Sequence, residues 1–197
     1  EYGGQATADV LTGAYNPGGA LTLTWYREEY RRTVSFRDMT MRPANANGHI
    51  GRSYRFLDQA KSTPLWRFGW GLSYTTFAIE FELPPLSPVG KGDDTRLAVT
   101  VHNTGSVAGG IAIICYVAAL NQTLVRDAPT RSVFDFARAG PLGPGEKSVV
   151  GFTLTAESRG LVNMLGDVVY PDGTYSVQCE AGGAASTPVA KIKVLST

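Results

Sequence analysis

Histidine and cysteine are scarce in this 197-residue chain, two of each, and neither His49 nor His102 lies at a finger-like spacing from Cys115 or Cys179. No metal site is expected. No apolar run approaches the roughly 20 residues that a bilayer helix needs, so no membrane span is expected either. Charge of neither sign dominates: 18 Lys and Arg stand against 17 Asp and Glu, net +1. No basic block is long enough to track nucleic acid, and "REEYRR" neutralises itself, Arg27, Arg31 and Arg32 lying beside Glu28 and Glu29. G-x-G-x-x-G after a strand, the Walker loop, H-E-x-x-H and G-x-S-x-G are all missing, and "GWGLS" has no serine at the elbow. No cofactor is expected. The opening "EYGGQATADVL" lacks a methionine, a basic start and the long apolar run of a secretion leader, and so reads as the start of a processed, nicked or excised chain.

What is present is apolar and turn-rich. Hydrophobic residues make up 43% of the chain, too many for a disordered polymer, and 23 glycines with 11 prolines favour short strands and turns over long helices. Residues 5–11, "QATADVL", predict about two helical turns ended by Gly13, too short to stand alone. "ALTLTWY" at 20–26 alternates as a strand, with Leu21, Leu23 and Trp25 on one side. Residues 27–63 show no sustained period and read as a long loop with a specific job or a packing partner.

After Phe77 strand grammar takes over. "LAVTVHNTGSVAGGIAIICYVAAL" is strand, turn, strand, the second run apolar on both parities and therefore central. "GPLGPGEKSVVGFTLTAE", "VVYPDGTYSVQCEA" and "VAKIKVL", the last with Val189, Ile192 and Val194, continue it. The fold class expected is mainly β: a β-sandwich over 77–197, preceded by a tail of another domain over 1–76. "ELPPLSPVGKGDD" marks the joint as a stiff linker, or a strand followed by a loop. Cys115 and Cys179 share the inward parity of their strands, so they are either two buried thiols or a disulfide; a bond closing so long a loop would add about 4 kcal/mol.

The densest feature is "PLWRFGWGLSYTTF" at 64–77, where Trp66, Phe68, Trp70, Tyr74 and Phe77 alternate with Gly69 and Gly71. Rings spaced by glycine suit an interdomain seam better than a sugar platform, each ring burying roughly 150–250 Å². Trp25, Arg52 and Arg55 join them as structural residues, the two arginines bracing the loop against Asp38 or Asp58. Asp38 reads as a turn or ion-pair residue and His49 as exposed. A glycosidase needs two carboxylates about 5–9 Å apart, and Glu28, Glu29, Asp38 and Asp58 occupy no run that would pair them. Asn121-Gln122-Thr123 is a sequon, so Asn121 is a candidate glycan acceptor.

Four separated segments, "ADVLTGAYNPGGALTLTWY", "MTMRP", "GRSYRF" and "FGWGLSYTTF", occur in the order in which they resemble the C-terminal part of family 3 glycoside hydrolases, most closely the β-xylosidase branch. "LAVTVHNTGSVAG", "GPLGPGEK" and "YPDGTYSV" resemble the fibronectin type III-like domain that closes such enzymes. The resemblance covers nearly the whole chain. It implies a barrel, then an α/β sandwich domain whose C-terminal fragment is residues 1–76, then the β-sandwich. The family's nucleophilic aspartate and its acid/base glutamate would both precede Glu1, the latter upstream of the match at Gly3-Gly4-Gln5, so no catalytic residue carries over. Arg67 and Trp70 stand where proline and tyrosine or histidine are common, which softens the choice of xylosidase over glucosidase or arabinofuranosidase. The expectation is a non-catalytic, secreted chain bound to a larger N-terminal chain that binds the oligosaccharide. A carbohydrate-binding module and a structural sandwich are the competing classes.

Overall fold

A computed structural model describes residues 2–44, 48–82, 87–120, 125, 128–182 and 185–195. Asn121 lies outside the described residues, as do 83–86 of the expected linker. Helix α1 spans Gly3–Thr12 and stops at Gly13, whose φ of 78° only glycine adopts without strain and whose N–H donates to the Val10 carbonyl. It buries none of its residues. Two single turns follow, α2 (Tyr30–Thr33) and α3 (Ser53–Phe56).

Tyr30, Val34, Ile50 and Leu57 form a small cluster of their own, with Tyr26 stacked on Tyr30 at 3.9 Å. The first 76 residues therefore hold a minor core. The aperiodic sequence hid it because only Tyr30 and Val34 share a turn, and Ile50 and Leu57 come from elsewhere in the loop. His49, expected to be exposed, is a correction. It is 4% exposed, and its Nδ1 accepts the Gly51 N–H at 3.0 Å, because the 44–49 bridge folds the ring inward.

Residues 20–26 form no strand and bend at Thr22 and Leu23. Only Trp25 bridges Trp66, while Leu21 N–H donates to the Trp70 carbonyl and Gly69 N–H to the Leu21 carbonyl, both at 2.8 Å. The turn at Arg67–Trp70 breaks the ladder between these points. Their backbone partner within this chain is the aromatic stretch.

From Phe77 the chain is a β-sandwich of the fibronectin type III-like kind. One sheet orders β1 (Phe77–Phe81), β3 (Thr95–Asn103) and β6 (Lys147–Leu154). The other runs β2 (Val89–Gly90), β11 (Ala190–Leu195), β9 (Gly173–Ala181), β4 (Gly109–Leu120) and β5 (Ser132–Leu142), with β10 (Ala185–Ser186) on β9. A hairpin of β7 (Leu161–Val162) and β8 (Val168–Val169) stands apart. All pairings are antiparallel except β2 with β11.

Ile111, Ile113, Cys115 and Val117 of β4 face Val99, Val101, Phe152 and Leu154 across the core. Cys115 and Cys179 sit directly opposite on β4 and β9, their Cα atoms 4.0 Å apart, and are joined in a disulfide. Ile192 and Val194 point inward as their parity requires, whereas Val189 precedes β11 and is exposed.

Candidate functional site

The outer face of the larger sheet is covered at its middle strand, β4, while Lys191, Lys193 and Phe136 toward its edges are exposed. Ile114 and Tyr116 of β4 and Gln178 and Glu180 of β9 lie on the face opposite the core; the N-terminal segment packs on the first two and leaves the second two lining an open cleft. Phe68 packs on Tyr54 at 4.5 Å between centroids, and Tyr54 meets the Tyr116 ring edge-on at 5.9 Å. Gly69, at φ +82°, allows this approach: a β-carbon there would stand 2.9 Å from Ile114 Cδ1. Arg131 lies over Tyr116, its Cζ 4.0 Å from the ring centroid, and Nη1 donates to Glu180 Oε1 at 2.6 Å. The Thr130 N–H and hydroxyl both donate to the Arg55 carbonyl, at 2.7 and 2.9 Å.

The other end of the seam turns on Asn103. Fully buried, it accepts from the Thr75 hydroxyl at 2.7 Å and the Gly105 N–H, and donates to the Val107 and Leu142 carbonyls, both at 2.9 Å. Tyr74 donates its hydroxyl to the Val10 carbonyl at 2.7 Å, tying α1 to the belt, and Phe77 opens β1 against the core.

The rings therefore divide. Phe68 and Phe77 face the sandwich, but Trp25 and Trp66 remain 47% and 37% exposed. Trp25 meets Trp66 edge-on at 5.8 Å, and Trp66 stacks on Trp70 at 5.6 Å. Tyr2, Leu11, Phe36 and Met39 are also exposed on the N-terminal segment.

The charged residues singled out by sequence hold turns. Arg52 braces the loop as expected, but through carbonyls: Nη2 donates to those of Ser35 (2.9 Å) and Asp38 (2.5 Å), and Nε to that of Thr40 (3.2 Å). Asp38 accepts the Thr40 N–H and Asp58 the Ala60 N–H. Arg55 lies over the Phe56 ring at 5.8 Å. Among the described residues no group of three or more His, Cys, Asp or Glu is placed to hold a metal ion.

Sequence reasoning passed over Tyr54, Tyr116, Arg131 and Asn103. The signal for Tyr116 was present, since a strand apolar on both parities needs cover on both faces.

Burial holds three phenols protonated. Tyr30 is pushed up to about 12 by desolvation and then by Tyr26; Tyr116 is raised despite Arg131, and Tyr175 despite Arg159. An acid whose folded pKa exceeds its unfolded value, about 10 for tyrosine, stabilises the fold below that pH and loses the effect above it. Stability should hold below about pH 10 and fall as pH climbs toward 12. Near-ultraviolet titration should show these phenolates appearing together with unfolding; their complete ionisation in the folded protein would contradict the burial.

Residues 1–74 match the family described as Glycosyl hydrolase family 3 C-terminal domain. The chain is 31% identical over 187 residues to the probable exo-1,4-β-xylosidase bxlB of Aspergillus terreus, covering 91% of this chain and 24% of that protein. It superposes on a GH3 exo-β-xylosidase (XlnD), solved with a xylobiose aziridine activity-based probe, with a TM-score of 0.85 and 27% identity, over 98% of this chain and 26% of that one. The Kluyveromyces marxianus β-glucosidase, solved with glucose, gives 0.79 and 28%, over 98% and 23%. The chain thus spans about a quarter of the length of the relatives it matches.

Proposed function

Because this chain corresponds to the C-terminal domain region of family 3 glycoside hydrolases and matches their β-xylosidase-like members, we propose that it is the non-catalytic C-terminal part of a retaining β-xylosidase. The enzyme would release terminal β-1,4-linked xylose from xylo-oligosaccharides, with both reacting carboxylates on a larger N-terminal chain. The retaining geometry sets those carboxylates about 5 Å apart.

One observation carries the reading. Within a chain whose sandwich core is closed, residues 2–74 leave Tyr2, Leu11, Trp25, Phe36, Met39 and Trp66 uncovered. A surface of that kind needs a cover, and the barrel-bearing polypeptide supplies it. The 1–76 segment, with the seam residues Trp25, Arg52, Arg55, Trp66, Phe68, Trp70, Tyr74 and Phe77, would clamp that polypeptide to the 77–197 sandwich. The disulfide favours an extracellular setting, in which Asn121 would be available for glycan.

The assay uses the assembled enzyme with nitrophenyl β-xyloside, β-glucoside and α-arabinofuranoside, and in parallel this chain alone. Fastest cleavage of the β-xyloside by the assembly, and none by the 197-residue chain, is expected. Preference for the glucoside or arabinofuranoside would move the enzyme to that branch. Hydrolysis by the chain alone would refute the non-catalytic role. Native sizing against denaturing electrophoresis tests the separate partner: a 21.0 kDa species with no companion would count against it.

A further inference from the structure

Between residues 56–67 and the outer face of the larger sheet lies an open cleft of about 600 Å³, lined by Asp58, Gln59, Arg67, Arg131, Gln178 and Glu180 among others. Its volume falls within the roughly 300–1,000 Å³ of small-molecule sites. We propose that this cleft binds a saccharide.

The floor is preformed. Gln178 and Glu180, two apart on β9, point to the same side of the sheet, and Arg131 stands just before β5. Arg131 is fixed twice, by the Tyr116 ring beneath it and by Glu180, and the two charged side chains are only 16% and 11% exposed. Holding such groups rigid in advance removes the ordering cost that a flexible arginine would add to binding.

Capacity for hydrogen bonding remains after these internal contacts. Arg131 engages Nη1 on Glu180, and the amide nitrogen of Gln178 donates to the Thr187 carbonyl at 3.1 Å. The amide oxygen of Gln178 and the second carboxylate oxygen of Glu180 are acceptors beyond those bonds, and the second Nη of Arg131 is a donor. The Arg131 Nε and the Tyr116 hydroxyl, buried beneath, have no hydrogen-bond partner. Such a floor is underfilled in polar terms.

The charges select the ligand class. Arg67 and Arg131 balance Asp58 and Glu180, so the lining carries no net charge to attract an anion or a cation. Donor and acceptor instead stand side by side, Arg131 on Glu180 at 2.6 Å with Gln178 two residues along β9. A sugar hydroxyl both donates and accepts, so adjacent hydroxyls on a pyranose match that mixture where a phosphate or an ammonium would not.

The site goes beyond the reading above and needs its own test. In the assembled enzyme, with the catalytic pocket blocked by a xylobiose aziridine probe, xylotetraose and cellotetraose are titrated by calorimetry. Saturable binding with Kd on the order of 1 mM is expected. Ser186, exposed at the cleft wall, tests the location: Ser186→Trp should weaken binding by about tenfold or more without lowering the melting temperature. Gln178→Ala should do the same if the tryptophan variant does not fold. No saturable binding, or binding undiminished in the folded variants, overturns the proposal. Hydrolysis of β-xyloside by unblocked enzyme reports on the family activity alone. If no covalent block forms, the same titration is run unblocked and the variants decide, so the two readings fail separately.

Discussion

Converting both Cys115 and Cys179 to alanine should lower stability by about 4 kcal/mol, the chain-entropy value for a bond closing a loop of 64 residues. Both sulfurs are fully buried, and their strands stay paired by the β4–β9 ladder. The loss should therefore appear as easier unfolding and not as an altered native fold. Urea titration of the double variant should show a lower midpoint, with a melting temperature down by about 10 °C. A midpoint within error of the parent would mean that the crosslink constrains little in the unfolded chain.

Asn103→Leu is expected to be nearly as damaging. The substitution keeps the volume and removes four hydrogen bonds, leaving the Val107 and Leu142 carbonyls, the Gly105 N–H and the Thr75 hydroxyl to find other partners in the interior. With each stranded group worth about 1–3 kcal/mol and some relaxation, the total should reach about 3 kcal/mol or more. Thr75 belongs to the belt, so the damage should spread beyond the sandwich. Amide exchange should speed up at residues 73–77 as well as at the 103–107 turn. Thr75→Val, which removes only one of the four bonds, should show a fraction of the effect. Equal losses in the two variants would place the tie elsewhere.

Much of the sandwich was legible in the sequence, because its strands obey a period of two. The inward row Ile111-Ile113-Cys115-Val117 and the row Tyr175-Val177-Cys179 are each readable by alternation, and both reach the core. Gly13 announced the end of α1 for an equally local reason, the positive φ of a helix terminus. Strand β5 was harder to see. It is a bulged edge strand, and its exposed and half-covered residues, Phe134 and Phe136 among them, do not alternate cleanly. Asn103 looked like one more turn residue in "NTGS", since nothing local distinguishes an asparagine that bends a chain from one that four distant groups converge upon. The seam was anticipated in kind but not in detail. Which rings face the sandwich and which stay outside depends on Gly69 meeting Ile114, a contact between residues 45 positions apart. His49 failed for the same reason: its burial comes from tertiary folding of a loop without periodicity.

Strand β4 has no wet side: one face holds up the core, and the other lies under Tyr54, Phe68 and Arg131. A gene trimmed to begin at residue 77 would remove Tyr54 and Phe68, keep only Arg131 over Tyr116, and leave Ile114 and the rest of the Tyr116 ring as a sticky wall at the middle of the sheet. The sandwich is therefore not a freely portable cassette. In any shuffling of such enzymes, by engineering or by recombination, it can travel intact only with the stretch of chain that upholsters its back.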